Sequence, residues 1–196
     1  LGLLRTSGPL SRVEIARALA FNLRSVSLLV DELVTEQLVV ELEGRRTSSG
    51  RRPIPVALNP SAACVLGMDV GRSSTAAAIM DLQGNLLART VAESDFSADP
   101  REQADWVADL AARFLAGQKT GSLPPLAGMA LAADGLVHRQ QLPQRLADAA
   151  EPVRARLESL LGVPVFSGSD SHFLAFGEQW FGQARDARHA AVFNLT

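Results

Sequence analysis

Between positions 50 and 71 the residue grammar of this chain changes, and the change predicts two domains, residues 1–60 and 61–196. Gly50-Arg51-Arg52-Pro53 is a basic, turn-prone tip followed by Ile54-Pro55-Val56-Ala57-Leu58-Asn59-Pro60. An apolar strand then runs from Val65 into Gly67-Met68-Asp69-Val70-Gly71, where an acidic residue meets a glycine turn. Arginines suit a phosphate backbone outside the protein, because the guanidinium fork matches phosphate oxygens. A strand ending in Asp and Gly suits a small ligand held in a cleft. With 196 residues, 47% of them hydrophobic, the chain is long enough to bury a core on each side of the seam.

Charge divides at the same place. Residues 1–60 carry 8 Arg against 6 Asp and Glu, a balance of +2, whereas residues 61–196 carry 11 basic against 15 acidic groups, a balance of -4. Any nucleic-acid partner therefore belongs to the front of the chain.

Before the seam the apolar spacing is helical. Ser11 is placed to cap a helix over Arg12 to Leu19: Glu14 completes a Ser-x-x-Glu capping box, and Val13, Ile15, Ala16 and Leu19 supply an inward face. Phe21-Asn22 breaks the pattern, with Asn22 a second cap, and Val26, Leu29, Val30, Leu33 and Val34 carry a second helix to about Glu36. Two short helices joined by a tight turn make a helix-turn-helix. Val39-Val40-Glu41-Leu42 and Ile54 to Leu58 are short strand candidates bracketing a polar tip from Glu43 to Pro53, which is the layout of a wing. At the start of the second helix Asn22, Arg24, Ser25 and Ser27 are candidates to meet base edges in the major groove. In the tip Arg45, Arg46, Arg51 and Arg52 are candidates to grip phosphates or enter a minor groove.

After the seam the pattern is that of an α/β domain. Strands are expected at Val65 to Val70, Thr75 to Asp81 and Leu86 to Ala92 as adjacent members of a meander, the last two joined by Gln83-Gly84-Asn85. A helix opening at Pro100 carries Trp106, Val107, Leu110, Ala111, Phe114 and Leu115 on one side and stops near Gly117. Strand Leu126 to Ala132, helix Arg145 to Leu161, strand Val163 to Phe166 and helix Asp170 to Phe181 complete the order.

Two turns in this half carry chemistry. The segment Gly67 to Thr75 is either a turn that brings amides and hydroxyls to an anion, with Asp69 available for a metal, or an ordinary hairpin with an Asp at a strand end. Ser167-Gly168-Ser169-Asp170 follows a strand and opens a helix, so Asp170 can face a cleft and accept a proton from a sugar hydroxyl, cap the helix, or do both. His138, His172 and His189 are too scattered for a local metal motif. Trp106, Trp180 and Phe181 read as core or interface. The single cysteine, Cys64, lies in an apolar run, reads as a core residue, and can form neither an internal disulfide nor a cysteine cluster. No apolar run nears the length of a membrane span and Leu1 to Arg5 lacks a signal-peptide layout, so a cytoplasmic location is expected.

Taken in order, Leu10-Ser11-Arg12-Val13-Glu14-Ile15-Ala16, Ser25 to Leu33, Gly50-Arg51-Arg52-Pro53, Leu58-Asn59-Pro60 and Gly67-Met68-Asp69-Val70-Gly71 resemble the ROK family (repressors, open reading frames and sugar kinases) in its repressor branch, over the whole chain. The resemblance implies an α/β multidomain fold. Residues 1–60 would be a winged helix-turn-helix, and residues 61–196 the first lobe and the start of the second of an actin-like (RNase H-like) sugar-kinase fold. Both ends of the chain read as cut: the start lacks Met, and Ala190 to Thr196 reads as an apolar strand with nothing after it to pair.

Several positions depart from the family pattern. Where kinase members have Asp-x-Gly-Gly-Thr, Gly71 is followed here by Arg72-Ser73-Ser74, which would crowd a nucleotide; Asp69, Gly71 and Ser73 thus read as a degraded phosphate loop. The family's Pro-Gly-Pro-Val-Asp segment matches Asp134-Gly135-Leu136-Val137-His138, and its Asn-Asp matches Ser169-Asp170, which makes Gly135, Ser169 and Asp170 the ligand-binding candidates. The loop that brings a sugar-contacting Asn is shortened between His138 and Pro143, Leu28 stands where relatives often carry Arg, and Glu178 matches a structural helix Glu. The family's zinc site, a His with a cysteine cluster, would fall in the missing lobe, so no cofactor or metal is assigned within these residues.

The expectation is a bacterial DNA-binding regulator, a repressor rather than an enzyme, that answers to a sugar or sugar derivative and binds a palindromic operator as a homodimer or higher homo-oligomer, with no membrane partner. A sugar kinase with an accessory N-terminal domain, using Asp170 as general base, is the alternative. A ligand-free regulator whose second domain only dimerises is a third.

Overall fold

The computed structural model describes residues 1–43, 53–94, 100–119, 121–133, 143–185 and 187–191, and it separates into two compact units, Leu1–Ala62 and Ala63–Thr196.

The first unit runs α1 (Gly2–Ser7), β1 (Leu10–Ser11), α2 (Arg12–Leu19), α3 (Leu23–Thr35), β2 (Val39–Glu41) and β3 (Pro55–Leu58), with an antiparallel sheet in the order β1-β3-β2. Both arms of the capping box start α2: the Ser11 hydroxyl accepts the Glu14 amide, and the Glu14 carboxylate accepts the Ser11 amide at 2.8 Å. Ala20, in the left-handed region at φ 53°, stops the helix by turning its N–H onto the Ala16 and Arg17 carbonyls. Asn22 caps α3 through Oδ1, which accepts the Ser25 amide at 2.7 Å. The helices meet the sheet in a core of Leu4, Ile15, Val26, Val30, Val39, Val56 and Leu58. Burying each of the larger side chains contributes roughly 1.5–3 kcal/mol. Val13, Leu19 and Leu29, expected on the inward faces, are exposed instead: Val13 and Leu19 stand in the first and last turns of the short α2, and Leu29 is turned about 100° from Val30. At the end of β3, Asn59 fastens the sheet to the turn after α3 by donating its side-chain amide to the Gln37 carbonyl at 2.7 Å.

In the second unit β4 (Cys64–Val70), β5 (Ser74–Asp81) and β6 (Leu86–Glu93) form the expected meander, followed by α4 (Pro100–Ala116), β7 (Leu126–Ala132), α5 (Pro143–Leu161), β8 (Val165–Gly168) and α6 (Asp170–Phe181). The sheet order is β6-β5-β4-β7-β8, with β7 parallel to β4 and β8 parallel to β7. Side chains alternate in β4 and β5: Leu66, Met68, Val70, Ala77 and Ile79 enter a core closed by Val107 and Ala111 of α4 and Val153 and Leu157 of α5. The alternate residues of these strands, small ones such as Gly67, Ala76 and Ala78, line a space shared with α6. Between β5 and β6, buried Asp81 accepts the amides of Gln83 and Asn85, and Gly84 turns at φ 87°. A Cβ on Gly84 would also sit 2.7 Å from the Phe181 ring.

Four elements depart from expectation by more than one residue. The α1 helix and the two-residue β1 strand were not anticipated: Leu1 offers α1 no side-chain cap, and β1 exists only because Leu10 and Ser11 pair with Val56 and Pro55. Helix α5 starts at Pro143, not Arg145, and continues through Pro152, whose missing N–H is tolerated because Ala150, Val153 and Leu157 bury the face around it. Strand β8 covers Val165–Gly168 and not Val163–Phe166: Pro164 lacks an N–H, and its carbonyl instead accepts the Met129 amide before the ladder begins. Among the described residues no helix is long and apolar enough to cross a membrane.

Candidate functional site

Helix α3 divides sharply by face. Val26 and Val30 are buried, and Leu33 and Val34 pack against the same core, while Arg24, Ser25, Leu28, Glu32 and Thr35 are exposed. The candidates at its N-terminus separate accordingly. Asn22 is exposed, but its oxygen is committed to the cap. Arg24 and Ser25 point outward, and Arg24 forms no ion pair among the described residues. Ser27 is half-buried on the flank of the inward stripe and donates its hydroxyl to the Leu23 carbonyl at 2.8 Å, a local back-bond that occupies its proton. Arg45, Arg46, Arg51 and Arg52 lie outside the described residues.

Arg12 is a residue that sequence reasoning passed over. Standing first in α2, its guanidinium pairs with Asp31 of α3 at 2.5 Å and with Glu41 of β2, so one side chain ties both helices to the strand that leads into the 43–53 segment. Glu41, and then Asp31, hold its proton more tightly than an ordinary arginine's. Nothing in local spacing connects positions 12, 31 and 41, although an Arg at the first turn of a helix, where the dipole disfavours a cation, is a weak signal that a distant carboxylate compensates.

In the second unit, Asp69 at the end of β4 and Asp170 at the start of α6 come to the same cavity, of about 340 Å³. Its floor is small and apolar, with Gly67, Ala76, Ala78 and Ala130 from three adjacent strands, and Phe173 and Leu174 of α6 form a wall. Arg89 of β6 reaches the same space and was not among the candidates, although it pairs with Ala78 across the ladder and therefore shares its face. An alanine floor admits the flat apolar face of a ring. Two carboxylates accept hydroxyl protons, and a guanidinium pairs with an oxygen or an anion.

The helix start at this cavity is built by Ser169, not Asp170: the Ser169 hydroxyl accepts the His172 amide at 3.3 Å, and its side chain does not line the cavity. Asp170 accepts the backbone amide and, at 2.9 Å, the hydroxyl of Ser171. The segment after Asp69 is a tight hairpin. Gly71 donates its amide to the Ser74 carbonyl at 3.0 Å and accepts the Ser94 hydroxyl at 3.1 Å, and a Cβ on Gly71 would stand 2.6 Å from the Ser74 oxygen. Glu178 accepts the Gln183 amide at 2.9 Å and closes the end of α6. Gly135 lies outside the described residues, and among those described no group of three or more His, Cys, Asp or Glu is placed to hold a metal.

The model of the ROK family matches residues 65–195. The chain belongs to the ROK family. Its relatives include the xylose repressor of Bacillus subtilis (strain 168), 26% identical over 183 residues, a match covering 92% of this chain and 47% of that protein. The glucokinase of Streptomyces coelicolor is 25% identical over 134 residues, covering 66% of this chain and 40% of the enzyme. A crystal structure described as a ROK family transcriptional regulator, homologous to the E. coli Mlc protein, superposes with a TM-score of 0.70 at 20% identity, covering 94% of this chain and 48% of that one. The chain spans about half the length of the curated relatives it matches. The repressor relative aligns across both units, whereas the glucokinase match is 134 residues long, the size of the second unit of this ROK chain.

Proposed function

We propose that this ROK chain belongs to a bacterial DNA-binding transcriptional repressor in which the first unit is a winged helix-turn-helix and the second, an actin-like lobe, senses a sugar or sugar derivative. The observation that carries the reading is α3, whose capped N-terminal turn exposes Arg24 and Ser25 while Val26 and Val30 anchor the opposite face. That is what a helix needs to enter a major groove without unfolding its core. A pyranose, with one apolar face and a rim of hydroxyls, suits the alanine floor between Asp69, Arg89 and Asp170. Sugar binding would then shift the population between arrangements that fit a palindromic operator well or poorly, read by a homodimer in the cytoplasm. The family's zinc has no set of ligands among the described residues, and no step depends on it.

Gel shifts with DNA from upstream of its own gene test the reading. Affinity should fall steeply with salt as counterions leave the phosphates, and Arg24→Ala should flatten that dependence by about one ion. The convergence of Asp69 and Asp170 on one cavity also favours a second reading, a sugar kinase with Asp170 as general base. Against it, the Gly71 amide is engaged by Ser74 within the hairpin and its carbonyl by the Ser94 hydroxyl after β6, and Arg72-Ser73-Ser74 would crowd a nucleotide phosphate. Incubation with ATP, magnesium and a sugar panel decides: turnover that is lost in Asp170→Asn would overturn the repressor-only reading.

A further inference from the structure

We infer that Leu28 is a specificity-determining residue that reads the 5-methyl group of a thymine in the major groove, an inference that rests on the DNA-binding reading of α3. Leu28 is 64% exposed, more than any other large hydrophobic side chain described in the first unit. Isolated exposed leucines are common and by themselves mean little; position distinguishes this one. It stands one turn after Arg24 and one turn before Glu32, with Ser25 on the adjoining row, so it occupies the middle of the face that turns away from Val26 and Val30. Arg24, Ser25 and Glu32 are all exposed; Leu23 and Leu29 are exposed too, at 47% and 51%, but they lie toward the edges of this face, and Leu28 stands on its midline between Arg24 and Glu32.

Chemistry narrows what such a side chain can meet. Leucine has no donor for a phosphate and no partner for the acceptors and amino groups that line the groove, and against any of these it would strip water without replacing its hydrogen bonds. The one apolar feature that base pairs present in the major groove is the thymine methyl group. Ser27 does not compete for that place, because its hydroxyl is turned back onto the Leu23 carbonyl. The expected readout is therefore mixed: Arg24 supplies hydrogen bonds or a phosphate contact at the helix start, and Leu28 supplies a methyl contact one turn deeper.

The test begins with selection of binding sites by the full 196-residue chain from a library of random duplexes, followed by replacement of each thymine in the selected site with uracil. Uracil pairs like thymine and lacks only the methyl group. A replacement in a single half-site should weaken wild-type binding roughly fourfold, the value of one buried methyl, and the same replacement should leave Leu28→Ala binding unchanged. Leu28→Arg should move the selected base at that position from thymine toward guanine. If no uracil replacement matters to the wild type, or if its cost survives in Leu28→Ala, the inference is overturned while DNA binding stands. A Leu28→Ala variant that selects the wild-type sequence but sediments as a smaller species would assign the residue to a protein contact, and overturns it equally. If the wild type enriches no sequence at all, the DNA-binding reading itself falls.

Discussion

Helices α3 and α6 begin alike and end up doing different things. Each opens on a small polar residue that takes an amide three positions on, Asn22 at 2.7 Å and Ser169 at 3.3 Å. Beyond the cap they diverge: α3 buries Val26 and Val30, while α6 has no buried residue and leaves Leu174, Phe176, Trp180 and Phe181 at least about a third exposed. A cap thus tells where a helix starts and nothing about what covers it. In the first unit Val26 and Val30 anchor α3 to the core while Leu29, at 51%, stays exposed beside the stripe, and the opposite side of the helix faces solvent. In the second, Phe173 and Leu174 of α6 border a cavity floored by alanines, so the same kind of element becomes the wall of a candidate site.

The contrast between the units would break if they proved to be one cooperative block. Leu157→Ala, at a fully buried position of α5, should cost the second unit about 2–5 kcal/mol. Both tryptophans lie in that unit, so denaturation followed by their fluorescence should shift while the first unit's amide resonances melt unchanged. An equal shift in both would end the independence of the two. Next in size are the caps: Asn22→Ala should lower the first unit's stability by about 1 kcal/mol, and Ser169→Ala, with its longer bond, should cost less. Chemical denaturation measures both, and the reverse order would mean that α6 depends on its cap for want of packing.

Smaller still is the effect of Arg12→Gln. Its ion pairs reach solvent, with Asp31 64% exposed, so stability should change by no more than about 1 kcal/mol. Because Arg12 positions α3 and β2 and is not itself free for a phosphate, DNA affinity should drop with the salt slope intact, in contrast to Arg24→Ala. The smallest expected effect is on acid stability. The Ser11 hydroxyl and amide hold the Glu14 carboxyl below its ordinary value of 4.5. A depressed folded value means that the stabilisation is present above the unfolded value and is lost as pH falls through the folded one. Thermal melts of the first unit should therefore lose a component on acidification that Glu14→Gln lacks at every pH.

What could be read from residues alone was what depends on neighbours in the chain. The capping box of Ser11 and Glu14, the Asn22 cap and the alternation of β4 and β5 are contacts within a few positions, and their residue types carry the reason. What could not be read was set at a distance. Strand β1 is two residues that owe their conformation to Val56 and Pro55, and the Arg12 tie joins positions 29 residues apart. In the cavity, Asp69 and Asp170 were singled out from their turns, but Arg89 entered only through ladder register, which no local window contains. Ser27 lies between the two cases: it is half-buried, and its hydroxyl donates to the Leu23 carbonyl, a local bond that its place in the first turns permits but does not dictate.

Cys64 supplies a natural reporter of motion in the second unit. It is the chain's single cysteine, it is 1% exposed in β4, and its thiol donates to the Pro124 carbonyl at 3.2 Å while burial pushes its ionisation upward. A thiol reagent can reach it only when the strand parts from its neighbours, so the labelling rate of the unmodified protein counts openings of the sheet. A sugar that slows this clock would reveal its own binding without any engineered probe.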